Sequence, residues 1–405
     1  MKKFASLLLA LCMVLGMVPA IADAIPADQI KIGMITIGDE NEGYTANHIN
    51  GMRAAMAALG ISEAQLILKP NTLETEAAYE AAVDLAEQGC DVIFANSFGH
   101  ESYVFLAASE YPEIEFCHAT GTTAKDTGLD NTHNYFTAIY EARYVSGVVA
   151  GLKLNQMIAD GKITAEQAKI GYVGAFPFEE VKSGYTAFYL GARSVCPSAT
   201  MEVKFTGSWG NMALEKEAAE ALIAGGAVLI SQHADTTGAP TACEAAGVPC
   251  VGYNISMIPA APNSALVSAA CNWAAYYTYA LQNVLAGEKF ASDWCYGYAD
   301  GAVFTTELTE ATVAPGTAEK VAEVEEALKA GTLKVFDVTI FTAPAGAGYT
   351  VDENGQLTSA FATDTNGDWV ADANEVVMDG YFSESSVQSA PYFAIIIDGI
   401  NAVQE

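Results

Sequence analysis

Apolar stretches and amphipathic stretches alternate along most of the chain. The pattern begins at Lys31, where β-branched and other apolar residues follow one another as in a buried strand. An acidic loop from Gly38 to Thr45 comes next, and from Ala46 apolar residues recur at spacings of three and four, as in a helix. Similar strand and helix patterns follow in turn as far as Leu285. Such regular alternation predicts an α/β fold with doubly wound parallel sheets.

The alternation occurs in two runs, which predicts two lobes with a central cleft between them. We expect residues 25–138 and 262–300 to form lobe 1, and residues 139–261 to form lobe 2. Beyond residue 301 the sequence becomes rich in Gly, Asp, Asn and Thr, and apolar positions alternate with polar ones. This composition is typical of hairpins, so residues 301–405 are predicted to be a C-terminal extension that packs on the lobes.

The first residues have the pattern of an export signal. Lys2 and Lys3 precede a short apolar run, and the small residues Ala22 and Ala24 fit a cleavage site directly after Ala24. Residues 1–24 are therefore predicted to be a secretory signal peptide, and the mature protein is expected to be extracytoplasmic, in the periplasm or at the cell surface. An alternative is a lipid anchor on Cys12, but bulky Leu11 precedes that cysteine and small residues are usual there.

Charge and sequence motifs narrow the function. The chain has 18 Lys and Arg against 49 Asp and Glu, a net charge of −31, which argues against nucleic acid and anionic membranes as partners. The eight cysteines form no Cys-x-x-Cys pair, and small buried thiols are favoured over a disulfide framework. There is no nucleophile elbow, no zinc-protease motif and no Walker loop, and the five histidines are scattered. The sequence predicts a protein that is not an enzyme and has no organic cofactor.

One acidic segment has the spacing of a calcium loop. Oxygen-bearing side chains occur at positions 1, 3, 5, 9 and 12 of such a loop, and they predict a possible Ca²⁺ site. The glycine, however, is at position 4 instead of 6, where Trp369 stands, and an exposed acidic hairpin explains the segment equally well. The ligands of this possible site would be Asp364, Asn366, Asp368, Asp372 and Glu375.

Several blocks of sequence resemble the basic membrane protein family, which contains substrate-binding proteins of ABC transporters related to purine nucleoside receptors. The blocks are Val173-Gly-Ala-Phe-Pro-Phe, Phe188-Tyr-Leu-Gly-Ala-Arg, Phe205-Thr-Gly-Ser-Trp209, Ser231-Gln-His-Ala-Asp235 and Gly252-Tyr-Asn. The similarity covers roughly residues 30–300, and Ser389-Ala-Pro-Tyr-Phe with Ile397-Asp-Gly-Ile is similar to the end of one branch. The resemblance implies a type I periplasmic-binding-protein fold and an ABC transporter permease as partner.

The same resemblance implies that two aromatic rings enclose a purine. By its position before Gly51, Tyr44 matches the first ring and Thr45 the polar residue after it, and Trp209 matches the second ring. Stacking of a base on an aromatic ring contributes about 1–3 kcal/mol. The alternative is that both rings are ordinary core aromatics. Polar specificity is expected from the ends of neighbouring strands, namely from Asn47, His48, Phe98, His100, Thr120, Gln232, His233, Asp235 and Asn254. His48 could equally be a surface histidine of its helix.

The sequence departs from the nucleoside-binding members at the positions that hold the ribose. Those members have aspartates where Ala119-Thr120-Gly121 and Asn254 stand here, and a lysine where Ala270-Cys271-Asn272 stands. A free purine base is therefore favoured over a nucleoside. The predicted function is a solute-binding protein of an ABC importer, and the alternatives are a ligand-sensing receptor ectodomain without a transport role and a secreted nucleoside-cleaving enzyme. The membrane is expected as a partner only through the permease or a lipid anchor.

Overall fold

The computed structural model describes residues 24–366, 368 and 370–402. The predicted signal peptide, apart from Ala24, and Cys12 within it lie outside the described residues. No helix in the described part of the chain is both long and apolar enough to cross a membrane.

The first run of elements builds a parallel sheet. In chain order the elements are β1 (Ile32–Ile35), α1 (Gly43–Leu59), β2 (Leu66–Lys69), α2 (Glu76–Glu87), β3 (Val92–Ala95), α3 (Glu101–Glu110), β4 (Glu115–Ala119) and β5 (Thr132–Thr137). Every residue of β1 and β3 is buried, because helices cover both faces of the sheet. Helix α1 is capped by Glu42, whose side chain accepts hydrogen bonds from the backbone N–H of Tyr44 and Thr45.

A long crossover helix leads to the second run. The elements are α4 (Ile139–Ala159), β6 (Lys169–Gly174), α5 (Glu179–Val195), β7 (Thr200–Phe205), α6 (Met212–Ala224), β8 (Leu229–His233), α7 (Gly238–Ala246), β9 (Cys250–Tyr253) and β10 (Ala265–Cys271). Helices α4 and α5 approach each other closely. A Cβ at Gly147 would overlap the carbonyl oxygen of Phe188, and one at Gly191 would overlap that of Tyr144. Only glycine allows this contact.

The chain then returns to the first lobe and continues into the extension. These elements are α8 (Trp273–Ala286), β11 (Asp293–Tyr296), β12 (Val303–Thr305), α9 (Thr317–Lys329), β13 (Tyr349–Val351), β14 (Leu357–Thr363), β15 (Ala373–Glu375), β16 (Val377–Met378), β17 (Tyr381–Phe382) and β18 (Ile400–Ala402). Strands β13 to β15 form one antiparallel sheet, and β16 and β17 form a hairpin.

Two larger sheets define the lobes. One has six strands in the order β11-β5-β4-β3-β1-β2, and the other has seven in the order β12-β10-β9-β8-β6-β7-β18. In the first sheet Met34 pairs with Phe94, and in the second Tyr172 pairs with Ser231. Every pairing in the two sheets is parallel except that of β12 with β10. The predicted α/β fold with two doubly wound parallel sheets is confirmed.

The predicted lobe boundaries differ from the sheets at two places. Strand β10 pairs with β9, so residues 265–271 belong to the second lobe. Residues 262–300 had been expected to belong to the first lobe. The return to the first lobe begins with α8, where a Cβ at Gly51 would lie 2.7 Å from Cβ of Trp273. Strands β12 and β18, which fall in the predicted extension, add to the two edges of the second sheet. A buried apolar run can enter either sheet, so its sequence does not specify which one.

Candidate functional site

A cavity lies between the lobes, at the carboxyl ends of the strands of both sheets. It encloses about 350 Å³, including space open to solvent. Ligands of open α/β sheets bind at this edge, where the loops after the strands converge. The first lobe contributes Ile37, Asn96, Ser97, Phe98 and Thr120 after β1, β3 and β4, and Tyr44 from α1; the second contributes Glu180, Trp209, His233, Asp235 and Tyr253.

Tyr44 is held firmly in the wall of the first lobe. Its hydroxyl donates a hydrogen bond of 2.6 Å to the backbone carbonyl of Asn96, and its ring meets the ring of His48 edge-on at 4.4 Å. The side chain is only 7% exposed, because it lies at the first turn of α1 between the two lobes. The ring is therefore presented to the cavity in one fixed orientation.

Trp209 lies in the loop after β7, among other aromatic rings. Its ring centre is 5.2 Å from that of Phe176 and 6.1 Å from that of Phe178. Phe178 in turn contacts Phe98 of the first lobe, with ring centres 5.4 Å apart. These rings form an aromatic rim that joins the lobes at the mouth of the cavity.

A backbone hydrogen bond also crosses between the lobes. The N–H of Gly43 donates to the carbonyl oxygen of Asp235 at 3.1 Å. A Cβ at Gly43 would lie 2.9 Å from the same oxygen, so a larger residue would push the lobes apart. With the aromatic rim, this contact shows that the cleft is closed in this structure.

The wall of the second lobe contains the buried carboxyl group of Asp235, the carboxyl group of Glu180, whose side chain is 14% exposed, and a histidine. Nε2 of His233 lies 3.2 Å from Oε1 of Glu180, and Nδ2 of Asn254 donates to Oδ1 of Asp235 at 2.9 Å. Burial raises the pKa of Glu180 to about 7, although the charge of Arg143 opposes the rise. Burial also raises the pKa of Asp235, and the nearby carboxylates of Glu42, Glu215 and Glu180 raise it further. Burial lowers the pKa of His233 well below its usual value, and the charge of Arg143 lowers it further.

Arg143 supports this wall from behind. It is fully buried, its Nη1 donates to the carbonyl oxygen of Gln232 at 2.6 Å, and its guanidinium lies 3.6 Å from the centre of the Tyr253 ring. Helix α4 brings this cation from the crossover between the lobes to the rear of the strand ends that carry His233 and Tyr253. It fixes the orientation of Tyr253 through a cation–π contact.

Two strand ends at the cavity have unusual backbone conformations. Thr120, after β4, has φ of 69°, and Asn254, after β9, has φ of 67°. A threonine in the left-handed region is costly, since its branched Cβ crowds the backbone. Strain of this kind is concentrated at functional sites, which supports the assignment of this cavity as the site.

Comparison with known proteins identifies the family. Residues 30–332 match the family described as "ABC transporter substrate-binding protein PnrA-like". The chain belongs to this family of substrate-binding proteins. The predicted membership is thereby confirmed, and so is the prediction that the protein is not an enzyme, because these proteins bind solutes for ABC transporters.

Two relatives of this substrate-binding protein differ in the ligand that their names state. A purine-binding protein of Brucella abortus is 32% identical over 311 residues, which are 76% of this chain and 83% of the relative. A putative ABC transporter glucose-binding protein of Haloferax volcanii is 32% identical over 256 residues, which are 63% of this chain and 61% of the relative.

Solved structures show the fold of the substrate-binding protein. An ABC transporter solute-binding protein from Conexibacter woesei superposes with a TM-score of 0.61 at 21% identity, over 75% of this chain and 98% of that one. The predicted two-lobed periplasmic-binding fold is confirmed.

The residues predicted for the ligand fall into two groups. Six of them line the cavity, and all six stand directly at strand ends, in the loops after them or at the start of α1: Tyr44, Phe98, Thr120, Trp209, His233 and Asp235. The other six do not line it. These are Thr45, Asn47, His48, His100, Gln232 and Asn254.

Three residues of the second group form hydrogen bonds with residues that do not line the cavity. His48 Nδ1 lies 2.6 Å from the hydroxyl of Tyr277, and its ring stacks on Trp273. Asn47 donates to the carbonyl oxygen of Cys271, and His100 contacts that of Thr72.

The remaining three residues of that group bind loops beside the cavity. Thr45 accepts a hydrogen bond from the N–H of Gly38. Gln232 donates to two carbonyl oxygens of its own loop, and Asn254 donates to Asp235. They position the wall from within the protein.

Five lining residues were not predicted: Ile37, Asn96, Ser97, Glu180 and Tyr253. The position directly after a buried strand was a usable signal for Asn96 and Ser97, and Tyr253 is the last residue of β9. Glu180 has no such signal, since it lies in the first turn of a helix.

Two of the predicted calcium ligands, Asp372 and Glu375, accept hydrogen bonds from nearby protein groups. Oε1 of Glu375 accepts hydrogen bonds from the backbone N–H of Ala360 and Val377, and its Oε2 contacts Ser359. Asp372 accepts hydrogen bonds from Thr365 and Asn366. Within residues 24–366, 368 and 370–402, no three His, Cys, Asp or Glu side chains are placed to hold a metal ion, and calcium binding stays a prediction. The same residues contain seven cysteines, all of them free thiols.

Proposed function

We propose that this protein is exported, binds a purine-like ligand in its cleft and delivers it to an ABC transporter permease. The observation on which the proposal rests is that Tyr44 and Trp209, from different lobes, both line the cavity at the strand ends. A flat heterocycle is the ligand class that aromatic rings on two opposing walls suit. The name of the Brucella abortus relative agrees with this ligand.

The cleft favours a free base over a nucleoside. Among the described residues, the lining includes no lysine or arginine, and Arg143 lies behind Tyr253 instead. Carboxyl, imidazole and amide groups suit the mixed edge of donors and acceptors that a base presents.

A sugar is the second candidate ligand. Glu180 and Asp235 line the cavity, and carboxyl oxygens accept hydrogen bonds from hydroxyl groups as well as from the N–H groups of a purine. The name of the Haloferax volcanii relative points in this direction.

Thermal-shift screening of the purified protein tests the ligand. The panel contains adenine, guanine, hypoxanthine, their nucleosides, glucose and unrelated amino acids. A ligand at a hundred times its dissociation constant stabilises the protein by about 2.7 kcal/mol. We expect a shift with at least one purine base, and we expect Trp209→Ala and Tyr44→Ala to abolish it.

The matched control is Tyr296→Ala, which removes a 48% exposed aromatic ring outside the cavity and should leave the shift intact. A response to glucose alone would reject the purine proposal but would not affect the assignment of the fold. A response to nucleosides alone would reject the preference for a base. Co-purification with a permease separates transport from the alternative of a receptor without a transport role.

A further inference from the structure

A second cavity lies where the crossover helix meets the C-terminal extension. This crossover cavity encloses about 560 Å³, including space open to solvent. The residues that matter for its chemistry are Tyr140 and Glu141 at the start of α4, Lys334 and Phe336 after α9, and Tyr381 and Glu384 at β17. None of them lines the ligand cleft. Lys334, Phe336, Tyr381 and Glu384 lie beyond residue 332, where the family match ends.

Glu384 is a buried carboxyl group with half of its hydrogen-bonding capacity in use. The residue is 7% exposed, and its Oε1 accepts hydrogen bonds from the backbone N–H of Tyr392 at 2.5 Å and of Phe393 at 3.4 Å. Its Oε2 is buried and has no hydrogen-bond partner in the described part of the chain. A buried acceptor without a donor costs free energy, so a missing donor at this oxygen would be stabilising.

A second carboxyl group lines the same cavity. Oε2 of Glu141 accepts a hydrogen bond of 2.7 Å from the backbone N–H of Tyr298, and no such bond engages its Oε1 within the described residues. The two carboxyl groups face one cationic side chain of the lining, that of Lys334. The cavity therefore favours a ligand that is positively charged and donates hydrogen bonds.

The aromatic side chains indicate which kind of cation fits. The rings of Tyr140 and Phe336 lie 5.6 Å apart, and Nζ of Lys334 lies 4.8 Å from the centre of the Tyr381 ring. The protein's own ammonium group thus already contacts an aromatic face of this cavity. Organic ammonium ions combine attraction to aromatic faces with hydrogen bonds to carboxylates.

We propose that the crossover cavity binds a small organic amine as its ammonium ion, with Oε2 of Glu384 as the principal acceptor and Glu141 as the second carboxyl group. A metal ion fits less well, because the described residues bring no three His, Cys, Asp or Glu side chains together here. Binding at this place links the crossover helix to the extension.

Isothermal titration of the purified protein with butylamine tests the proposal, and 1-butanol serves as the uncharged isostere. We expect butylamine to bind and 1-butanol to give no binding heat. Burial raises the pKa of Glu384 to about 8, so an ammonium ion that binds here has to displace the carboxyl proton. Glu384→Gln keeps an acceptor for the N–H groups of Tyr392 and Phe393 but cannot become charged, and should weaken binding at least tenfold. The matched control Glu87→Gln changes an exposed carboxylate on α2 and should have no effect.

Lys334→Ala gives an independent readout, because it removes the protein's own ammonium group from an exposed position and leaves the buried packing intact. We expect butylamine to bind severalfold more tightly to this variant. This measurement tests the proposal even if Glu384→Gln does not fold.

Three results would overturn the proposal. The first is that 1-butanol binds as well as butylamine. The second is that folded Glu384→Gln binds butylamine with unchanged affinity while Lys334→Ala binds it with unchanged or weaker affinity. The third is that Asp235→Asn no longer binds butylamine. The last result would place the amine in the cleft.

Discussion

The two walls of the cleft differ in their titratable groups. The first lobe lines it with apolar and neutral polar side chains, including Ile37, Asn96 and Thr120, whereas the second lobe contributes Glu180, His233 and Asp235. When the lobes are closed, the neutral wall excludes water from the titratable one, and this raises the pKa of both carboxyl groups. The first wall thus determines the shape of the site, and the second determines its polarity.

The largest expected effect comes from the cation behind the second wall. Arg143→Leu removes a fully buried guanidinium and leaves the carbonyl oxygen of Gln232 and the carboxyl group of Glu180 without it. The substitution loses a hydrogen bond from a charged group, which contributes about 1.5–3 kcal/mol, and a desolvated cation–π contact with Tyr253, which contributes about 2 kcal/mol. We expect guanidinium denaturation to show a loss of that combined size.

The matched control is Arg53→Leu, whose guanidinium is 37% exposed and pairs with Glu40. Loss of a surface pair costs less than about 1 kcal/mol. Equal losses in the two variants would contradict a special role of charge behind the second wall.

The next effect is a pH dependence of stability. The pKa of Glu180 in the folded protein, about 7, lies above the unfolded value near 4.5. The folded state therefore holds a proton that the unfolded state has lost, and stability falls as pH rises between these values. The shift corresponds to about 3 kcal/mol for this one group.

Thermal unfolding of the ligand-free protein from pH 4.5 to 8 measures this effect. Asp235 and Glu215 act in the same direction, because burial raises their pKa too. We expect the melting temperature of Glu180→Gln to decline less steeply with pH than that of the wild-type protein, with the decline beginning at the same pH. A pH profile of Glu180→Gln that parallels the profile of the wild-type protein would contradict the argument, because buried histidines with lowered pKa values contribute equally to both proteins.

Ligand affinity distinguishes the two walls directly. Asp235→Ala removes an acceptor and leaves Nδ2 of Asn254 without its partner, and we expect the affinity for the ligand found by screening to fall about tenfold or more. Thr120→Ala in the first wall should reduce affinity only a few-fold, because its hydroxyl is bonded to the carbonyl oxygen of Ala119. A larger loss of affinity in Thr120→Ala than in Asp235→Ala, measured by isothermal titration, would contradict this comparison of the two walls.

The smallest effect concerns the hydroxyl of Tyr44. Tyr44→Phe keeps the ring but removes the hydrogen bond to the carbonyl oxygen of Asn96, which should lower stability by about 1 kcal/mol. Affinity should change less than about twofold, because stacking depends on the ring. Tyr296→Phe, at an exposed position, is the control for stability.

The sequence by itself determined the fold class and the location of the site. Strand and helix periods are local properties, so the alternation predicted two parallel sheets. The positions after buried strands predicted Phe98, Thr120, His233 and Asp235 as neighbours of the cleft, and the resemblance to the family implied Tyr44 and Trp209. A rule about strand ends identifies the loop that reaches the site, because parallel strands all end at the same edge.

Only the tertiary structure decided which side chains of those loops face the cavity. Gln232 and His233 are adjacent in sequence, yet Gln232 donates to its own loop and His233 lines the cleft, because successive residues of a strand point to opposite faces. Glu180 and Arg143 lie on helices, and α4 and α5 bring them to the second wall through packing that no local pattern encodes. Strand β10 joined the second sheet for a similar reason, since the pairing partner of a buried strand is chosen by contacts distant in sequence.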